Sequence, residues 1–223
     1  ELAARGVKLL FGPGRDYASV ITSLAFDLME AGEFQRAETV ASEALELNER
    51  IYGKSSGAYI SARRIYADLC LRQGDATRAI DHIREVIDAC ERRHEAADII
   101  AGDTILLGQA LFRQGSTQEA EKTLQKALQL TSNLKELPSE YGKAHYLLGQ
   151  ISTGKRMIPD AIKHYEQAAT FYESNKHFHA ERRNDARSAL AQLEFDQAMS
   201  AVQTGDLAKA TSHHDKAIKH LRS

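Results

Sequence analysis

The sequence predicts an all-α chain, a right-handed superhelical solenoid of about five antiparallel helix pairs. Three observations predict it. A short phrase of small residues around a glycine recurs along the chain, the apolar residues between copies step by three and four, and the composition favours helix throughout. Alanine, leucine, glutamate and arginine dominate, and the 223 residues include only three prolines. Those abundant side chains lose least in a helix interior.

The phrase places a small residue in an apolar helix, then a turn glycine, then two further small residues in the next helix. Its first copy is Ala25, Gly32, Ala37 and Ala44, and its second Ala67, Gly74, Ala79 and Val86. The third is Gly108, Gly115, Ala120 and Ala127. The fourth is Gly149, Arg156, Ala161 and Ala168, with arginine at the turn. The fifth is Ala198, Gly205, Ala210 and Ala217. Successive central alanines stand 42, 41, 41 and 49 residues apart. Two antiparallel helices approach closely only where side chains are small, and glycine turns the chain back because it takes positive φ without strain. Leu24, Leu28, Leu107, Leu111, Leu124 and Leu148 form the apolar stripe between these points.

The phrase sets the expected organisation. A solenoid over 12–223 has repeats near 16–52, 57–94, 97–134, 139–175 and 180–223, preceded by residues 1–11 as the second helix of a truncated repeat. Phe11-Gly12-Pro13-Gly14 reads as a linker, with Asp16 capping the helix that follows. An opening Glu1 rather than methionine suggests a processed chain or a piece of a longer one, with an N-terminal end through which copies can self-associate. The last helix, near 207–221, has His214 where an apolar residue is expected. Its polar face of His213, Lys216, Lys219 and His220 suits a capping element.

Composition excludes several functions. The 29 lysines and arginines are interleaved with 31 acidic residues at a net charge of −2, so no basic footprint for nucleic acid exists. No apolar run is long enough for a membrane span. Two cysteines, Cys70 and Cys90, make no disulfide framework, which suits a reducing, cytoplasmic setting. Both read as core thiols. Gly12-Pro13-Gly14 has neither the strand nor the Lys-Ser/Thr ending of a phosphate loop. His177 and His179 with Glu173, or His213, His214 and His220, lack the spacing of a helical zinc motif and read as surface histidines. No catalytic string occurs, so neither enzyme activity, cofactor nor metal is expected.

The quoted phrase resembles the tetratricopeptide repeat over nearly the whole chain. Its period of 41–42 exceeds the family's standard 34 and is similar to the kinesin light chain type. Leu47-Asn48-Glu49-Arg50-Ile51-Tyr52-Gly53-Lys54, Ala67-Asp68-Leu69-Cys70 and Gln73-Gly74-Asp75 carry that likeness. Repeats of about 40 residues also occur in MalT-like regulators. The resemblance implies an adaptor that holds a protein, peptide or helix in a groove lined by the first helix of each pair. Alternatively it implies an effector- or peptide-sensing domain of a larger regulator.

Helical spacing assigns the groove to Phe26 and Met29, with Thr22 beside them. It adds Arg64, Asp68 and Arg72 in the second repeat, Gln109, Phe112 and Arg113 with Ile105 in the third, and Lys143, Tyr146 and Gln150 in the fourth. Phe195 and Met199 extend it in the last. Cations beside exposed aromatics suit a ligand with acidic and apolar side chains. The carboxylate-clamp asparagine of chaperone-binding members is replaced by Phe26, Asp68, Gln109 and Gln150. Arg64-Ile65 replaces the paired asparagines of kinesin light chains, so neither ligand code carries over.

Overall fold

Turn chemistry lays out the architecture. The computed structural model describes residues 14–134, 137, 140–174 and 180–222, with Gly6 and Gly12. Ten helices are described: α1 (Arg15–Glu30), α2 (Phe34–Tyr52), α3 (Gly57–Arg72), α4 (Ala76–Arg92), α5 (Ala97–Gln114), α6 (Thr117–Thr131), α7 (Tyr141–Gly154), α8 (Ile158–Ser174), α9 (Ala180–Gln203) and α10 (Leu207–Arg222). They form five pairs, the two helices of each pair packed together as an antiparallel hairpin, so the chain is an all-α repeat solenoid. The helix expected before residue 12 lies outside the described residues, apart from Gly6.

Within every pair the turn repeats one device. Gly32, Gly74, Gly115 and Gly205 all take positive φ, from 76° to 91°. In the first turn the Gly32 N–H donates to the Met29 carbonyl at 3.1 Å and the Glu33 N–H to that of Leu28 at 2.9 Å. This is the Schellman closure, which satisfies carbonyls left open at a helix end. The fourth turn keeps the geometry without the glycine. Arg156 itself takes φ 60°, its N–H reaching Thr153 at 2.9 Å and that of Met157 reaching Ser152 at 2.9 Å. A side chain in that region costs about 1–2 kcal/mol, offset by glycine's greater chain entropy when unfolded. Arg156→Gly is therefore expected to stabilise the fold by about 0.5–1 kcal/mol, or roughly 2 °C in melting temperature. A thermal melt showing no rise would remove the strain assigned to this turn.

The helix starts differ in their chemistry. Ser56 Oγ accepts the Tyr59 N–H at 3.2 Å, and Asp75 accepts that of Arg78 at 3.0 Å. Asp16, expected as a cap, is not one. Gly14 holds the cap position with no side-chain bond, and Asp16 sits in the first turn of α1. There its charge complements the positive end of the helix dipole.

The residues fall into two compact units, Glu1–Lys135 and Glu136–Ser223. In the first, Tyr17, Ala18, Ile21, Ala44 and Leu47 build one cluster, and Ile60, Val86, Ala89 and Cys90 another. In the second, Ala161, Tyr165, Ala168, Tyr172, Leu190 and Leu193 form the core. The recurring small residues lie at the closest approaches. A Cβ on Gly149 would stand 2.7 Å from the Tyr165 ring, so the ring occupies the space a side chain would need.

Candidate functional site

The groove predicted from helical spacing divides between the two units. In the first, α1, α3 and α5 are the first helices of their pairs and supply the expected face. Phe26 is 47% exposed on α1, an open aromatic ring. Met29, by contrast, is 1% exposed and is corrected from groove to core. Its side of α1 is covered, since α1 packs on α2 and also meets α3. Ile105 is corrected likewise, fully buried in α5 between its neighbours α4 and α6. Thr22 is half-buried, donating to the Ala18 carbonyl at 2.7 Å and accepting from Asn48 at 3.1 Å.

The arginines of this face are engaged within the molecule. Arg64 Nε donates to Asp103 Oδ1 at 2.6 Å and Nη2 to Oδ2 at 2.7 Å, a bidentate pair joining α3 to α5. The Asp103 side chain is 5% exposed and that of Arg64 36%. Hydrogen bonding to Asp103 raises the Arg64 pKa against the opposing cost of burial. Cys90 completes the cluster, its thiol 3.7 Å from Asp103 Oδ2. Burial first, and then Asp103, pushes that thiol's pKa up, so it stays protonated near neutrality. Arg72 reaches Glu30 on α1 at 2.5 Å and Asp68 on its own helix at 3.3 Å. Arg113 donates to the Leu71 carbonyl at 2.6 Å.

Gln109 and Phe112 are half-buried on α5. The Gln109 side-chain oxygen is buried without a hydrogen-bond partner. In the second unit Lys143 is half-buried on α7. Tyr146 packs against the core and meets the Tyr165 ring edge-on at 5.5 Å. Burial raises its phenol pKa, and Gln150 hydrogen-bonds its side chain. Phe195 and Met199 are each 47% exposed on α9.

Sequence reasoning missed Asp103 and Glu30 as partners. Asp103 carried a usable signal, a lone carboxylate among Ile99, Ile100, Ala101, Thr104 and Ile105. The histidines also differ from a uniform surface set. His145 and His164 bring their Nδ1 atoms to 3.0 Å, and His213 pairs with a buried Glu194. His177 and His179 lie outside the described residues. Among the described residues, no group of three or more histidine, cysteine, aspartate or glutamate side chains is placed to hold a metal ion, and no helix is long and apolar enough to cross a membrane.

Known proteins resemble this chain in sequence or in fold. Arcadin-4 of Pyrobaculum calidifontis is 26% identical over 151 residues, 66% of this chain, and the chain spans 19% of the length of that relative. Among solved structures, BtubC from P. vanneervenii matches 98% of this chain and 85% of its own at 18% identity, with a TM-score of 0.67. A kinesin-light-chain-like protein of nearly identical repeats from Podosopora anserina matches 91% of this chain and 93% of its own at 13% identity, with a TM-score of 0.65. YrrB, a tetratricopeptide-repeat protein with an unusual peptide-binding site, matches 99% of this chain and 93% of its own at 17% identity and a TM-score of 0.57. The tetratricopeptide repeat family matches residues 16–92 and 102–174. The helix pairs, their glycine turns and that match together make this chain a member of the tetratricopeptide repeat family, whose solenoid is a scaffold for holding proteins and peptides.

Proposed function

We propose that the chain is an adaptor of the long-repeat, kinesin-light-chain-like type, and that its first unit holds an extended peptide or a helix along α1, α3 and α5. The exposed Phe26 carries this reading. A large aromatic left open on a first helix offers a partner apolar area at little entropic cost. The half-buried Gln109 supports it further, because its side-chain oxygen has no hydrogen-bond partner and accepts a ligand N–H once the side chain turns outward. The self-paired Arg64, Arg72 and Arg113 line up the helices that carry these two groups. Cys70 and Cys90 are free and buried, which suits a cytoplasmic protein.

Selection of binding peptides from a displayed library, using the whole chain, tests this. Peptides so obtained are expected to lose about tenfold or more in affinity for a Phe26→Glu, Gln109→Ala variant whose melting temperature is unchanged. Equal binding to parent and variant would move the site off this face.

A further inference from the structure

The second unit contains a cleft of about 490 Å³ that the groove reading does not use. It lies on the side of α8 and α10, the second helices of their pairs. Along α10 the residues Lys209, His213, Lys216 and His220 follow one another at i, i+4, i+7 and i+11, a single helical face, and all four line the cleft. Lys219 adds to that wall. The wall of α8 is of another kind, presenting Ile158 and Ile162 with Glu166 beyond them. α9 contributes Glu194, 4% exposed, whose carboxylate holds His213 Nδ1 at 2.5 Å. That contact fixes the imidazole and leaves Nε2 as its remaining nitrogen.

The concentration of charge is local. Helix α10 carries three lysines and one arginine against Asp215, in a chain whose net charge is −2. The polar face expected only to cap the solenoid is thus one wall of a concave site, with an apolar wall opposite. Nucleic acid fits this poorly, because Glu166 and Glu194 oppose a polyanion and the lining has no Phe, Tyr or Trp ring for base stacking. A bilayer needs its basic groups on a protruding surface, and these line a recess.

We propose that this cleft is a second peptide site, which takes a partner segment carrying acidic side chains beside an apolar one. The apolar side chain rests on Ile158 and Ile162, and the carboxylates meet Lys209 and Lys216. The site is separate from the face of the first unit and does not depend on it.

An end-capped, fluorescent peptide of repeating Glu-Glu-Leu, about 12 residues long, titrated with the whole chain by anisotropy, tests the proposal. Saturable binding is expected, weakened about tenfold or more by Lys209→Glu with Lys216→Glu, and as much by a Gln-Gln-Leu peptide. The Phe26→Glu, Gln109→Ala variant should bind the Glu-Glu-Leu peptide as the parent does, whether or not the groove reading holds. Hydrogen exchange on the unaltered chain provides a readout free of any folding defect in the lysine variant. Protection by the peptide is expected at 158–166 and 207–222. Absence of binding, equal binding of the Gln-Gln-Leu peptide, or protection confined to 15–131 would overturn the proposal. So would binding of phosphatidylserine vesicles or a single-stranded oligonucleotide that the lysine variant abolishes while the acidic peptide fails to bind.

Discussion

Replacing Arg64 with alanine is expected to destabilise the fold by about 2–4 kcal/mol. The substitution strands Asp103, whose carboxylate is almost wholly buried and is left, among the described residues, with the weak contact of the Cys90 thiol. Breaking a fully buried ion pair from one side costs about 3–5 kcal/mol, and the partial exposure of Arg64 lowers that range. Arg64→Glu should cost more, because it sets a second negative charge beside the first. Arg64→Met combined with Asp103→Leu should recover most of the loss, since both charges are then gone. Urea denaturation of the two single variants and the double gives the coupling directly. A loss under about 0.5 kcal/mol for Arg64→Ala would make the pair an ordinary surface contact. The residue that spacing marks as a ligand contact is, on this geometry, a tie between adjacent repeats.

Acidification is expected to weaken the fold through His145. Burial above all, then the neighbouring His164 and Lys163, hold its pKa down to about 4 against an unfolded value near 6.5. Its Nε2 is buried without a partner, and Tyr141 packs edge-on against its ring at 4.7 Å. The sign follows from linkage. The folded state holds a neutral imidazole, so at neutral pH the group exerts no penalty. As pH falls below the unfolded pKa, the unfolded chain takes up a proton the folded one refuses, and stability is lost until the folded pKa is passed. Between pH 7.5 and 5 the loss amounts to about 2 kcal/mol, rising to about 3 kcal/mol below pH 4. Carboxylates and His82, whose pKa burial also lowers, contribute their own slopes. The measurement is therefore the difference between the parent and His145→Leu in urea midpoints across that range. Parallel pH profiles would show that His145 charges without cost.

The repeat was legible because its determinants are local. Gly74 and Ala79 stand in one turn and the helix after it, and Ala67 lies a helix turn or two before; their spacing can be read without knowing what lies across from them. The missing glycine at 156 was legible too, but not its consequence. Only the backbone shows that the arginine accepts the strained geometry rather than altering the turn. The groove was legible in part. Periodicity found Phe26, yet it placed Met29 and Ile105 on the same open face, although they are core.

What the sequence by itself determined is the all-helical repeat, its period and its points of close helix contact, since helix propensity, turn φ and side-chain size act over a few residues. The tertiary structure alone decided which faces stay open and which charges are free. A solenoid helix packs against both its own partner and the next pair, so more of its surface is covered than one period suggests, and Met29 falls within that cover. Asp103, Glu30 and the Leu71 carbonyl, which engage Arg64, Arg72 and Arg113, stand about one repeat away, beyond the range of any local pattern. The cationic wall of α10 became a site only when folding set Ile158 and Ile162 opposite it.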